Sequence, residues 1–184
     1  MNSVLPAFCG LIAAISWGTA DFFAAHSSKE ETAEATSLAV SAVSAIAYTI
    51  FFIFFRGGEA WTSSGVLFAL FGGVFMGLGL MLFYRGLEAG PVSIVSPVGS
   101  AYPLVTTLLV LTVLGGSLTW IQIMGILLVI TGIVAASGIF ETKPGERRLS
   151  KGVIYALMTF VFWGIAFAFL GQAVVTIGWQ KQLS

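Results

Sequence analysis

The chain has 184 residues, 58% of them hydrophobic and 9% charged, and its 8 basic and 8 acidic side chains cancel. A soluble domain carries about 25% charged residues, so this composition excludes a water-soluble globule and predicts an all-α integral membrane protein, a polytopic helical bundle. Zero net charge leaves nothing to attract nucleic acid. One cysteine, Cys9, and one histidine, His26, exclude an internal disulfide and the paired-ligand metal motifs, so neither a metal nor a cofactor is expected.

Six charge-poor runs of membrane length can be marked, which predicts six crossings. Barrel strands would alternate polar and apolar over ~10 residues, and these runs do not. The first run covers about residues 4–25 and lacks a basic region before it, so it reads as a retained helix and not a cleaved signal. Gly10, Ala14, Trp17, Asp21 and Ala24 share one helical face. Asp21 is the only acid inside an apolar run. A carboxylate below the membrane surface is costly and is a functional candidate by default, suited to coupling ions or holding a cation. Trp17 stands one turn away and can meet the same ligand. The alternative is that Asp21 lies near the helix end, in headgroup water beside His26 and Lys29.

The second run covers about residues 36–55 and the third about 65–84. Gly73 and Gly77 in the third form a GxxxG pair, the usual mark of close helix packing, and Tyr84 lies on the same face. Arg85 and Glu88, three apart at the helix end, are expected to pair. The fourth run, about 91–114, is broken by Pro97 and Pro103. Treated as one helix, it puts Ser93, Ser96, Ser100, Pro103 and Thr107 on one narrow face, with Tyr102 pointing away. Each proline removes an N–H, so the carbonyls of Ser93 and Gly99 are expected to lose their helical partners. A polar, kinked stripe at membrane depth lines either a cavity or a helix seam.

The fifth run, about 120–140, offers Gly125, Gly132 and Ala136 as packing surface, with Trp120 and Gln122 at the interface. A charged linker follows, and the sixth run covers about 152–179. It opens like the first: Trp163, Gly164 and Ala166 match Trp17, Gly18 and Ala20 at an offset of 146 residues. Five runs within one period is an odd number, which would invert the second copy. The expected division is therefore a five-helix repeat at 1–140, a linker at 141–151, and the start of a second, truncated repeat at 152–184.

Taken in order, these pieces resemble the EamA-type transporters of the drug/metabolite transporter superfamily. The resemblance rests on Trp17-Gly18 with Asp21-Phe22, the turn from Tyr84-Arg85-Gly86-Leu87-Glu88 to Ala89-Gly90-Pro91-Val92, Pro97 with Tyr102-Pro103, and Gly125 with Gly132. It implies two inverted five-helix repeats around a central cavity that moves amino acids, metabolites or drugs by alternating access. The family often has a Leu-Gly-Glu-Arg-type turn after the fourth helix; here Leu114-Gly115 runs into Gly116-Ser117, without that acid. One repeat plus one helix is expected to need a second copy, or the missing second repeat, to enclose a cavity.

The function expected is a secondary transporter in the cell membrane, present as a partial chain, with the lipid bilayer and a small-molecule substrate as partners. The site residues expected are Trp17, Asp21, Tyr84, Ser96, Ser100 and Tyr102, with Pro97 and Pro103 as kinks and Gly73 and Gly77 as packing glycines. A structural or accessory membrane protein without transport of its own is the alternative. An enzyme is not expected: the sequence has no histidine pair, acid pair or HExxH motif.

Overall fold

In lipid, backbone N–H and C=O groups have no water to bond, so long apolar runs must coil into helices. The computed structural model describes residues 4–55, 61–113, 115, 117–136 and 151–177. Among them stand α1 (Val4–Glu30), α2 (Ala33–Phe55), α3 (Ser63–Ala89), α4 (Val92–Gly99), α5 (Pro103–Val113), α6 (Trp120–Ala136) and α7 (Lys151–Ile177), and no strand. The protein is thus an all-α polytopic membrane protein. Five segments are long and apolar enough to cross a bilayer, with α4 and α5 forming one of them, Val92–Val113. The remaining expected crossing is α6, shorter at 17 residues. The linker expected at 141–151 lies outside the described residues except for Lys151.

Local chemistry sets several helix ends. Thr32 precedes α2 and accepts the Ala35 N–H at 3.1 Å. Thr62 precedes α3 and accepts the Gly65 N–H at the same distance. Each hydroxyl satisfies one of the orphan donors of a first turn. Thr119 and Gln122 make a reciprocal capping box at α6: the Gln122 side chain accepts the Thr119 N–H at 2.8 Å, and Thr119 Oγ1 accepts the Gln122 N–H at 3.4 Å.

The most extensive packing joins α3 to α7. Gly65, Gly72, Gly79 and Gly86 recur every seven residues along α3 and are all buried. Gly152, Thr159, Ala166 and Ala173 recur at the same spacing along α7 and are buried too. The two rows meet antiparallel: Gly65 faces Ile177 and Thr176, Gly72 faces Leu170, Gly79 faces Trp163, and Gly86 faces Gly152 and Tyr155. A seven-residue period keeps one seam turned toward its partner through a left-handed wrap. In lipid, helices associate through close packing and interhelical hydrogen bonds, because leaving the hydrocarbon brings no hydrophobic gain. Both are present here. A Cβ at Gly72 would sit 2.7 Å from Leu170, and one at Gly152 would sit 2.8 Å from the Gly90 Cα. Thr159 Oγ1 donates to the Gly79 carbonyl at 3.3 Å, and Trp163 Nε1 donates to the Met76 carbonyl at 3.4 Å. Phe71 and Phe75 of α3 stack on Phe169 of α7 at ring-centroid distances of 5.8 and 6.2 Å beside the seam.

Gly73 and Gly77, by contrast, stand open: a Cβ at either meets nothing within 4 Å. The same holds for Gly125 of α6. The GxxxG face of α3 is therefore turned away from the rest of the described chain. Arg85 also differs from expectation. Its guanidinium pairs at 2.7 Å with Glu34, at the start of α2, and not with Glu88. The helix continues to Ala89, which leaves Glu88 on an exposed face while Arg85 points toward α2.

The fourth crossing breaks before Pro103, while α4 continues through Pro97, and the Gly99 carbonyl is not left free. α4 ends at Gly99, and the Gly99 carbonyl accepts the Tyr102 N–H at 3.3 Å before α5 begins at Pro103. A short three-residue turn thus takes up the bond that Pro103 cannot make.

Candidate functional site

Of the six residues expected to share a site, the structure joins four around the middle of the bundle. α1 carries Trp17 and Asp21 one turn apart, and α4 brings Ser96 to Asp21 by donating its hydroxyl to the carboxylate. Tyr84, near the end of α3, is buried and lies within electrostatic range of Asp21. Asp21 is half-buried and has no cationic partner among the described residues; the ion pairs there are His26–Glu30 and Arg85–Glu34. α1 runs on to Glu30, more than two turns beyond Asp21, with its last residues, His26–Glu30, polar. Taking a carboxylate partly out of water costs free energy, and the Ser96 hydroxyl offsets part of it.

The fifth residue, Tyr102, turns toward α7. Its ring stacks on Phe167 at 4.4 Å and meets Trp163 edge-on at 6.0 Å. Trp163 is the hub of an aromatic cluster: Phe83 lies 5.1 Å from it and Trp17 lies 6.4 Å from it at 73°. The two tryptophans of the repeated signature therefore touch. Trp163 is 4% exposed and Trp17 is 59% exposed. Nothing in the sequence assigned Trp163, Phe83 or Phe167 to the site; the Trp-Gly repeat was the only available signal for Trp163.

Ser100 is not brought to Asp21. With Pro103, Thr106 and Thr107 it faces Gln122 and Gly125 of α6 across a cavity of about 480 Å³. Ser93 is exposed. Within the predicted stripe, Ser100 stays one helical turn beyond Ser96, its N–H bonded to the Ser96 carbonyl at 2.9 Å, and it lines this cavity together with Pro103 and Thr107. Thr106, at the edge of this cavity, also donates to the Gly164 carbonyl of α7 at 2.9 Å.

Among the described residues no group of His, Cys, Asp or Glu is arranged to hold a metal ion. What the arrangement offers is one carboxylate, two hydroxyls and a bank of aromatic rings within a membrane bundle, a set that can bind and orient a small molecule. No curated protein and no solved structure matches the chain. A model of the EamA-like transporter family matches residues 4–138, which takes in α1 through α6 and the Asp21–Ser96 contact and leaves α7 outside. The match spans well over half of the chain, and this multi-pass membrane protein belongs to the EamA-like transporter family.

Proposed function

We propose that the chain is a secondary transporter of small metabolites in the cell membrane, working by alternating access, with Trp17, Asp21, Tyr84, Ser96 and Tyr102 at its substrate site and Ser100 on the adjoining α5–α6 cavity. The observation that carries this reading is the Asp21–Ser96 contact: a half-buried carboxylate without a cationic partner among the described residues, in an apolar run and bonded across to the broken crossing. A merely structural contact would not need a charge there. Membership of the EamA-like transporter family supports transport as the activity. We infer the same division into a first repeat at 1–140 and the start of a second at 152–184, supported by the contact between the two signature tryptophans. A second copy, or further helices, would complete the enclosure around Trp17, which is open within this chain.

The test is growth of cells expressing the chain across a panel of toxic metabolites and drugs. Resistance or sensitivity to at least one compound is expected, and Asp21→Asn should abolish it at equal membrane abundance. This substitution keeps shape and some hydrogen bonding but removes the charge. Identical growth of the two strains on every compound would favour an accessory membrane protein without transport of its own.

A further inference from the structure

The site described above has a direction. An offset of 146 residues that sets Trp17 on Trp163 also sets Asp21 on Phe167. α7 runs antiparallel to α3, and short connections make α1 parallel to α3, so α1 and α7 are antiparallel. Asp21 and Phe167 therefore lie on opposite sides of the tryptophan pair. Each is one helical turn, about 6 Å, from its own tryptophan, which places the two about 12 Å apart along the bundle. One end presents a carboxylate with the Ser96 hydroxyl, while the other presents the stacked rings of Phe167 and Tyr102. Between them Trp17, largely exposed, keeps a ring face free.

Resting on the transporter reading, we propose that this site takes an organic cation with a flat aromatic body, its charge held by Asp21 and its ring laid against Trp17 toward Phe167 and Tyr102. Three observations favour this class. The carboxylate has no cation of its own among the described residues, and a ligand cation supplies the missing charge. The faces of Trp and Tyr rings attract cations and stack on aromatic groups. The competing ligands fit less well. A hard metal ion wants about six oxygens, more than one carboxylate and two hydroxyls give. A zwitterionic amino acid brings a carboxylate of its own, and the one guanidinium among the described residues, Arg85, is already paired with Glu34.

The experiment is a tryptophan-fluorescence titration of the full purified chain in detergent. The probes are benzyltrimethylammonium, tetramethylammonium (the charge without the ring) and benzenesulfonate (the ring with the opposite charge). Saturable quenching by benzyltrimethylammonium is expected, with tetramethylammonium about tenfold weaker and benzenesulfonate without effect. Asp21→Asn should weaken the aromatic cation by about tenfold or more, Asp21→Glu by only a few-fold, and Trp17→Ala by about five-fold. Absence of saturable quenching by the aromatic cation, equal binding of benzenesulfonate, or unchanged affinity in Asp21→Asn would each overturn the proposal. The probe comparison on the parent chain stands even where a variant fails to fold. Loss of a growth phenotype in Asp21→Asn without cation binding would overturn this inference and leave the transporter reading intact. Asp21-dependent cation binding without any Asp21-dependent phenotype would support the cation site and overturn the transporter reading.

Discussion

α1 and α7 open with the same Trp-Gly signature, yet the chain treats them in opposite ways. In α7, Gly164 is pressed against Val105, where a Cβ would collide, and Trp163 is buried among rings from α1, α3 and the turn before α5. In α1, Gly18 has nothing within 4 Å of where a Cβ would stand, and Trp17 is open. The local sequence is shared, so the difference comes from what each helix faces. α7 meets a partner, α3, whose glycines recur at the matching interval; α1 bonds to Ser96 through its half-buried acid and leaves its tryptophan and Gly18 open. The same motif thus serves as a fastener in one place and stays uncovered in the other.

Substitutions at matched positions test that contrast. Trp163→Ala should cost about 3–5 kcal/mol of stability, the usual range for removing a buried tryptophan, while Trp17→Ala should stay within about 0.5 kcal/mol, as exposed substitutions do. Thermal unfolding in detergent measures both, and equal losses would erase the distinction. Gly164→Val and Gly79→Leu should each cost about 1–3 kcal/mol or more through overpacking. Gly18→Val and Gly73→Leu should leave the melting midpoint near the parent value. If Gly73→Leu changes anything, it should be association with a second molecule, seen as a shift in oligomeric mass. A fall in folded yield for Gly73→Leu comparable to that for Gly79→Leu would show that the open face is occupied within one subunit. The smallest effect is expected at Arg85: both partners of its pair with Glu34 are well exposed, so Arg85→Ala should barely move the midpoint. A double-mutant cycle coupling Arg85 to Glu88 and not to Glu34 would overturn the assigned ion pair.

Much of this architecture was legible in the residues. Charge-poor runs placed the helices, Pro103 placed the break in the fourth crossing although Pro97 did not interrupt α4, and Asp21 announced itself as the one acid in an apolar run. The α3–α7 seam was written as plainly, in glycines at 65, 72, 79 and 86, but the adjacent pair Gly73 and Gly77 drew the expectation instead. A membrane helix is apolar on every side, so hydropathy does not tell which small residues face protein and which face lipid. Only the matching row on α7 resolves that. Ser100 keeps the helical phase of Ser96, its N–H bonded to the Ser96 carbonyl, but it lines the α5–α6 cavity, a neighbour that the face assignment alone could not name. Arg85 has two acids within plausible reach, and which one it takes depends on where α2 begins.

The break in the fourth crossing carries a mechanical consequence. α4 and α5 both rest on α7, α4 with Gly99 facing Thr159 and α5 with Thr106 bonded to the Gly164 carbonyl, and α4 also reaches α1 through Ser96 and Asp21. α7 therefore braces the joint at Ser100–Tyr102 from both sides, and any bending there would have to loosen one of those two contacts.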